Sequence, residues 1–341
     1  MTPAIASAAR PVGATSGIAG RSLILHADDF GMNEVVSRGI IHGFTHGLLT
    51  STSILANGPA REFALSQWRD LQARLASRDL PAFENRRRLH DSFAPFDLGI
   101  HLNLTEGRPL TADRYPDQLL DRQGRFPGVL AVARRLFHSG RRYRDALERE
   151  LSAQIEFLLN RGISPAHLNA HQYIDMLPAV ADLLPDLLRR YAIRVIRIPW
   201  ETRLTHTTLV RRFEPANWAV GQIKRLFAFR HLIEMTRRGL AHPARYFGTC
   251  HAGRIDLDLL GDFLDAAGTG LTEIGMHPGC AASGTVAARS HDGWYDPLAL
   301  QRHGELSLLT SDDLVQLLES RQIRLGRLSE LSASRRLAVA A

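Results

Sequence analysis

The chain contains little cysteine, since Cys250 and Cys280 are the only two among 341 residues. Two cysteines cannot build the disulfide framework of a small secreted domain, and they cannot supply the four thiolates of a structural zinc site. A reducing compartment is the simplest setting for such a chain, so we expect a cytoplasmic protein.

Long apolar runs are missing too. No stretch of about eighteen or more apolar residues occurs, which argues against a membrane span. Residues 1–20 are rich in Ala, Gly and Ser and have no continuous apolar core. This composition predicts a disordered tail rather than a signal peptide. We also find no internal repeat.

The positive charge is not accompanied by a nucleic-acid motif. The net charge is +7 and the isoelectric point about 10.1, carried mostly by arginine, which favours anionic partners. Zinc-finger spacing, RNP-like aromatic motifs and Lys/Arg tracts are all missing, so nucleic acid is not an expected partner. An anionic lipid surface or an acidic ligand remains as the expected partner.

What the chain does contain is an alternation of short apolar runs with helical patterns. Strands are predicted at 22–26, 49–55, 97–102, 166–169, 194–198, 246–249 and 271–276, with a last one near 323–325. Helices are predicted at 34–46, 142–160, 178–190, 257–266 and 311–319. Strands that alternate with helices imply parallel pairing through crossover connections. The pattern predicts an α/β fold, an irregular TIM-like (β/α) barrel.

The barrel is expected to be one domain over residues 21–328, followed by a C-terminal tail at 329–341. Two long segments, 115–143 and 201–245, break the alternation and are rich in Arg, Leu and Phe. Insertions of this size in an α/β barrel usually lie over the C-terminal rim, where the active site is found. We therefore expect helical lids there.

Two adjacent carboxylates, Asp28 and Asp29, follow the first apolar run directly. Carboxylates forced together repel each other, so one tends to have a raised pKa or to bind a cation. One residue could then accept a proton while its neighbour holds a metal ion. The alternative is an ordinary helix N-cap, because Asn33 and Glu34 follow.

Histidines stand at the ends of other predicted strands. Asp29, His101 and His171 each lie at or just past the end of a different strand, and parallel strands bring those ends to a common rim. One carboxylate and two imidazoles leave coordination positions open, as in a hydrolytic metal centre. Asp28 would then be the free base. The alternative is that these are incidental rim residues, because the chain has 15 histidines.

Five short motifs occur in order along the chain. They are HADDFG at 26–31, LTSTS at 49–53, GIHLNLT at 99–105, HLNAH at 167–171 and MHP at 276–278. In order and approximate spacing they resemble the motifs of the YdjC/ChbG carbohydrate deacetylases, over about residues 23–325. The combination is specific, whereas each motif alone is not.

The resemblance implies an irregular TIM-like barrel, a divalent metal ion and deacetylation of N-acetylated amino sugars. Position by position, it implies that Asp29, His101 and His171 hold the metal ion and that Asp28 is the catalytic base. His277, in the late His-Pro motif, is the candidate general acid. For the ion, two imidazoles favour Zn²⁺, while an open, oxygen-rich site accepts Mg²⁺ or manganese.

The chain departs from the family pattern in the HLNAH motif. An Asp followed by a run of histidines is common there, but Asn169, Gln172 and Tyr173 occupy those places. Ser37 also stands where relatives often have Asn. The hydrogen bonds around the metal ligands must therefore differ. We expect these departures to affect substrate preference more than the type of reaction.

Three further residues are candidates for the substrate site. Arg197 lies inside an apolar strand, where arginine is costly unless it meets an anion. It is expected to pair with Asp28 or to hold a substrate group, and a salt bridge elsewhere in the barrel is the alternative. Asn57 is a weaker candidate, and His167 is expected to support the metal ligands rather than join them.

Apolar and basic side chains interleave at 129–142 and 221–240. Basic amphipathic helices suit an anionic bilayer surface, and the alternative is a lid helix that packs on the barrel. Within its family the chain most resembles the deacetylases of hopanoid biosynthesis, which implies a lipid-linked N-acetylglucosamine substrate and peripheral contact with the inner face of the membrane.

Three other functions stay open. The substrate could be a soluble sugar of the chitooligosaccharide type. A metal-dependent phosphoesterase would suit the basic charge, but the chain lacks a glycine-rich phosphate cradle, and a single metal ion is less usual for that chemistry. A barrel that binds sugar or lipid without catalysis is the third alternative.

Overall fold

One parallel sheet forms the centre of the protein. The computed structural model describes residues 20–89, 96–201, 215–281 and 293–332. Within these residues the sheet has seven strands in the order β4-β3-β2-β1-β6-β5, and β7 pairs with the start of β1. The strands are β1 Arg21–Phe30, β2 Ser51–Ile54, β3 Asp97–Leu102, β4 Leu168–Ala170, β5 Arg245–Phe247, β6 Gly270–Met276 and β7 Arg324–Leu325.

Helices connect the strands, as parallel pairing requires. They are α1 Glu34–Thr45, α2 Arg61–Ala76, α3 Phe83–Leu89, α4 Val129–Ser139, α5 Arg144–Leu159, α6 Pro178–Ala181, α7 Leu184–Arg190, α8 Pro215–Arg237, α9 Leu257–Ala267, α10 Arg302–Leu309 and α11 Asp312–Ser320. Short 3₁₀ turns cover Ala112–Arg114, Asp117–Leu119, Gly140–Tyr143 and His171–Met176.

Strand β1 is buried over most of its length, as are β2, β3 and β4. Its residues from Leu23 to Phe30 are all buried, and β1 pairs with β2, β6 and β7. A strand covered on both faces reads as a nearly continuous apolar run, as the sequence of β1 does up to Ala27. The charged pair that follows is therefore brought into the interior.

Helix α1 has its own N-cap, so the aspartate pair is free for another use. The Asn33 side chain accepts a hydrogen bond from the Val36 backbone N–H, as an N-cap residue does. Ser37, one of the departures from the family pattern, accepts a hydrogen bond from Gly31 N through its hydroxyl. The N-cap interpretation of Asp28 and Asp29 is wrong.

Predicted and observed ends agree within one residue for β3, β6, α1, α9 and α11. Strand β3 has the predicted ends, and α9 extends one residue further than predicted. The segment at 194–198 is not a strand, since only isolated bridges, Leu168↔Ile196 and Val195↔Ala241, join it to its neighbours. Its neighbour β4 has only three residues, and Pro199 cannot donate to a ladder.

The helix predicted at 178–190 is two helices, α6 and α7. Proline in the first turn of α7, at Pro185, starts a new helix rather than continuing the old one. Helices α2, α3 and α10 lie outside the predicted set. Helix α2 buries Ala64, Leu65, Trp68 and Leu71, which recur at helical spacing.

The predicted C-terminal tail starts too early. Leu331 is fully buried against β1 and β6, and Ser329 N donates to the Asp97 carboxylate at 2.7 Å. Residues 333–341 and the predicted N-terminal tail up to residue 19 lie outside the described residues.

Helices α4 and α8 belong to the two predicted insertions, and residues 202–214 of the second lie outside the described part. Both helices lie beside the His171–Met176 turn, which directly follows β4 at the C-terminal rim. No helix among the described residues is long and apolar enough to cross a membrane.

Candidate functional site

The end of β1 brings both neighbouring aspartates into one site through a β-bulge. The register between β1 and β2 shifts between Ala27 and Phe30, so β1 carries one extra residue there. Asp29 has a φ of 68°, in the left-handed region that aspartate tolerates better than most residues. In a regular strand, neighbouring side chains point to opposite faces. The bulge breaks this alternation and leaves both carboxylates buried at the same rim.

Asp29, His101 and His171 lie together, and they form the one metal-compatible group of acidic, histidine and cysteine side chains among the described residues. Their ligand atoms all lie within 4.8 Å of one another. Asp29 Oδ1 is 2.9 Å from His171 Nδ1 and 3.6 Å from His101 Nε2. These residues come from the ends of β1, β3 and β4, as the sequence predicts.

The hydrogen bonds of His101 suit a cation at this position. The Asn169 amide nitrogen donates to Asp28 Oδ1, so the amide oxygen is the atom that lies 2.9 Å from His101 Nδ1. Nδ1 must then carry the imidazole hydrogen. The lone pair of His101 Nε2 consequently faces Asp29 Oδ1. Two acceptors that face each other are stable only with a cation or a proton between them.

The charges around His171 favour a positive charge as well. Burial opposes protonation of this imidazole, but Asp29 and Glu106 outweigh burial and raise its pKa to about 10. Glu106 Oε2 lies 3.6 Å from His171 Nε2, and neither atom has a hydrogen-bond partner. By its donor set and its charge, the group of Asp29, His101 and His171 fits a divalent metal ion.

The departures from the family pattern after His171 shape the turn that carries this ligand. Gln172 and Tyr173 have left-handed φ angles of 51° and 59°. The Gln172 amide donates to Glu106 Oε1 at 3.2 Å, and so connects the His171 turn to the loop after β3.

Asp28 is held by Arg197. Arg197 Nη1 donates to Asp28 Oδ1 and Oδ2 at 2.8 and 2.6 Å, and its Nε donates to Glu273 at 2.8 Å. Burial alone would raise the pKa of Asp28, but the Arg197 charge holds it well below the usual range. Asp28 is therefore ionised at neutral pH and able to accept a proton. Of the alternatives for Arg197, the structure has the ion pair with Asp28.

His277 lies at the opening of the site. It directly follows β6, and its Nε2 is 3.9 Å from Asp28 Oδ2. Its side chain is 12% exposed, more than Asp28 at 6%. Glu305 accepts a hydrogen bond from the His277 backbone N–H at 2.6 Å and so fixes this loop. Burial lowers the pKa of the imidazole.

Two of the candidates for the substrate site have internal contacts instead. The Asn57 amide donates to the carbonyls of Glu106 and Arg108 at 3.0 Å, and its oxygen accepts from Asn103. Asn57 therefore anchors the loop after β3. His167 is fully buried behind Asp28, with its Nε2 2.9 Å from His26 Nε2. Its hydrogen-bond contact is with His26 and not with one of the three residues of the metal-compatible group.

Four polar residues of the site are missing from the sequence prediction: Glu106, Glu273, Asp296 and Arg302. The sequence contained a signal for Glu273, because it is a negatively charged residue inside an apolar strand, just as Arg197 is a positively charged residue inside an apolar segment. Arg302 had none, since it is one of many arginines and stands far from every motif.

The chain is similar in sequence to proteins of a known family. The sequence profile of the family described as YdjC-like protein matches residues 22–320. A carbohydrate deacetylase of Geobacillus stearothermophilus is 34% identical over 70% of this chain and 82% of its own length. A carbohydrate deacetylase of Mus musculus is 28% identical over 92% of this chain and 96% of its own.

A solved structure has a similar fold. A putative cellobiose-phosphate cleavage protein of Enterococcus faecalis superposes with a TM-score of 0.66 at 20% sequence identity, covering 92% of this chain and 99% of that one. At this identity the match supports the fold, a curled half-barrel of parallel strands with helices.

Proposed function

The chain belongs to the YdjC-like protein family, and on that basis we propose that it is a metal-dependent deacetylase that removes the N-acetyl group from an amino sugar. The observation that carries the proposal is the convergence of Asp29, His101 and His171 beside the ionised Asp28. Three protein ligands leave coordination positions open for water and substrate, which is the arrangement of a hydrolytic rather than a structural site.

Asp29, His101 and His171 would hold the ion, Zn²⁺ or Mg²⁺, and their two imidazoles favour Zn²⁺. When bound, a divalent ion would polarise the acetamide carbonyl and stabilise the negative charge that develops on its oxygen. Asn169 would keep His101 in the tautomer that presents Nε2 to the ion.

Asp28 acts as general base in this mechanism. It takes a proton from a water molecule, whose oxygen adds to the acetamide carbon. Arg197 keeps the carboxylate ionised and holds it in one orientation. This clamp also makes Asp28 a weak base, so the water must be acidified by its surroundings for the transfer to proceed.

His277 acts as general acid. When the C–N bond breaks, the departing amine nitrogen gains a proton from the His277 imidazolium, and acetate and a free amino sugar result. The Asp28 carboxylate, 3.9 Å away, favours the protonated imidazole. Since burial lowers the pKa of His277, the rate should fall on the alkaline side of the pH profile.

Acetate release from N-acetylglucosaminides, measured with and without a chelator, tests the proposal. Release that stops with chelator and returns with Zn²⁺ supports a metal-dependent deacetylase. Phosphate release from phosphoesters in place of acetate would favour the phosphoesterase alternative. Binding of the sugars with no product at all would favour a non-catalytic barrel.

We extend the proposal to a lipid-linked substrate, such as a hopanoid with an N-acetylglucosamine head group, because exposed apolar side chains flank the turn that carries His171. Leu130 and Phe137 of α4 are 84% and 77% exposed, and Leu226 and Phe229 of α8 are 71% and 47% exposed. Basic residues accompany them, which suits an anionic bilayer.

Helix α8 has two different faces. Ala228, His231 and Met235 are buried against the rest of the protein, while Leu226 and Phe229 are exposed. The helix can therefore cover the barrel with one face and touch a lipid surface with the other, so that the lid and membrane interpretations are compatible.

Co-sedimentation with anionic liposomes tests the extension. We expect the double variant Leu226→Ser/Phe229→Ser to bind liposomes less than the wild type while it still deacetylates soluble sugars. The double variant Val35→Ser/Leu300→Ser, at exposed apolar positions outside α4 and α8, is the matched control. Equal binding by all three proteins would leave a soluble sugar of the chitooligosaccharide type as the substrate.

A further inference from the structure

Each of the two neighbouring aspartates has its own arginine, and each arginine has a second carboxylate. Asp28 pairs with Arg197, which also binds Glu273. Asp29 pairs with Arg302, which also binds Asp296. The two triads keep adjacent like charges apart, because each carboxylate is drawn towards a different cation.

Arg302 is rigidly held. Its Nε donates to Asp296 Oδ2 at 2.8 Å and its Nη2 to Asp296 Oδ1 at 2.9 Å, a two-point contact that fixes the guanidinium plane. The same Nη2 donates to Asp29 Oδ2 at 2.7 Å. The Arg302 side chain is only 2% exposed, and Asp296 is buried as well. Water therefore competes little for these contacts.

The two oxygens of Asp29 consequently have separate tasks. Oδ2 is taken by Arg302, whereas Oδ1 faces the two histidines at 2.9 and 3.6 Å. We infer that Arg302, locked by Asp296, is a positioning residue that restricts Asp29 to a single metal-binding oxygen. The inference rests on the proposed function, because it concerns the metal ion of that site.

This restriction would matter for the reaction. A carboxylate that binds through both oxygens takes up two coordination positions, and a catalytic site needs free positions for water and substrate. By holding Oδ2, Arg302 would leave one more position open. It would also hold Oδ1 at the point where the two imidazoles converge.

Removing Arg302 has two opposite expected effects on metal affinity, one from its charge and one from its positioning of Asp29, and this makes the inference testable. A guanidinium beside a metal ligand repels a cation, so its loss by itself should tighten metal binding. Loss of positioning should weaken it. Groups that orient a metal ligand typically contribute a factor of about 10–100 to metal affinity.

The test measures Zn²⁺ affinity by competition with a chromophoric chelator and the visible absorption of the Co²⁺-loaded protein, whose intensity reports the coordination number. For Arg302→Met we expect about 10–100-fold weaker Zn²⁺ binding, because Asp29 is no longer held in position. We also expect weaker Co²⁺ absorption, because Asp29 can then bind through both oxygens and raise the coordination number. Arg302→Lys keeps the charge without the two-point contact and should restore part of the affinity.

Two further variants keep the test decisive. Arg321→Met removes an arginine that pairs with Asp265 near the surface, and it should leave both readouts unchanged. Asp296→Asn removes the lock but keeps Arg302, and it should produce the same Co²⁺ change to a smaller extent. If Arg302→Met does not fold, Arg302→Lys and Asp296→Asn carry the test.

The outcomes separate this inference from the proposed function. If the wild type binds neither ion, the metal-dependent function fails, and the inference fails with it. If the wild type binds Zn²⁺ and releases acetate, but folded Arg302 variants bind Zn²⁺ as tightly or more tightly with an unchanged Co²⁺ spectrum, only the positioning role of Arg302 is wrong.

Discussion

Asp28 and His101 are joined by a single amide group, that of Asn169. The amide nitrogen donates to Asp28 Oδ1 at 2.9 Å, and the amide oxygen lies 2.9 Å from His101 Nδ1. The proposed base and one proposed metal ligand are thus oriented by the same side chain. Asp28 and His101 are far apart in the sequence, and Asn169 couples the orientation of one to that of the other.

Replacing Asn169 with the nearly isosteric leucine should impair both functions. His101 would lose the acceptor that fixes its tautomer and keep only the Ser53 hydroxyl, 3.2 Å from Nδ1. We expect Zn²⁺ affinity to fall about tenfold or more. Chelator competition measures this. Unchanged affinity would show that Ser53 alone orients His101, and the variant Asn169→Leu/Ser53→Ala would then be the one to lose affinity.

Asp28→Asn should remove turnover and keep the metal ion. The amide oxygen can still accept from Arg197, but the side chain no longer accepts a proton. Because general-base catalysis typically contributes a factor of about 10²–10⁴, we expect the rate of acetate release to fall by that amount. Metal content is the second readout, and Asp265→Asn, at an exposed carboxylate, is the control. A rate close to that of the wild type would remove Asp28 from the role of base.

Arg197→Met should destabilise the fold, because it leaves Asp28 and Glu273 as buried carboxylates without their partner. Breaking a buried ion pair on one side costs about 3–5 kcal/mol in the free energy of unfolding. The double variant Arg197→Met/Glu273→Gln removes one of the stranded charges, so it should be more stable than the single variant. Urea unfolding measures both. If the double variant is the less stable one, the two residues are not coupled as described.

Asp175 should make stability depend on pH. This carboxyl is buried, and its Oδ1 has no partner. Burial raises its pKa to about 7, against the opposing charge of Arg197. Because the folded state keeps this proton up to about pH 7 while the unfolded chain releases it near pH 4, Asp175 lowers the free energy of unfolding as the pH rises between these values.

Comparison with Asp175→Asn isolates this effect. The neighbouring His231, 3.7 Å from Asp175, has a pKa lowered to about 4 by burial, so its own contribution has the opposite slope. His231 is present in both proteins, and its contribution largely cancels in the difference. We expect Asp175→Asn to gain stability over the wild type by about 3 kcal/mol between pH 4 and pH 7. Urea unfolding across this range checks it, and a difference independent of pH would contradict the prediction.

Much of the site could be predicted from the sequence because it lies at strand ends. Asp29, His101 and His171 each follow a short apolar run, and parallel strands bring such ends to one rim whatever the details of packing. The elements with a strong local pattern, such as β3 and α9, were predictable because their apolar residues recur at the spacing of a strand or a helix. The segment at 194–198 was not, because its failure to form a strand depends on its short neighbour β4.

The local sequence thus determined which side chains reach the rim, because side-chain type and the alternation of strand and helix patterns can both be recognised within short segments. Only the tertiary structure decided how these groups are oriented. Arg302 is 273 positions from Asp29, and their contact depends on how α10 packs. The bulge that turns Asp28 and Asp29 to the same side depends on the pairing of β1 with β2. Such contacts arise between distant segments, and no local pattern encodes which charged side chain meets which.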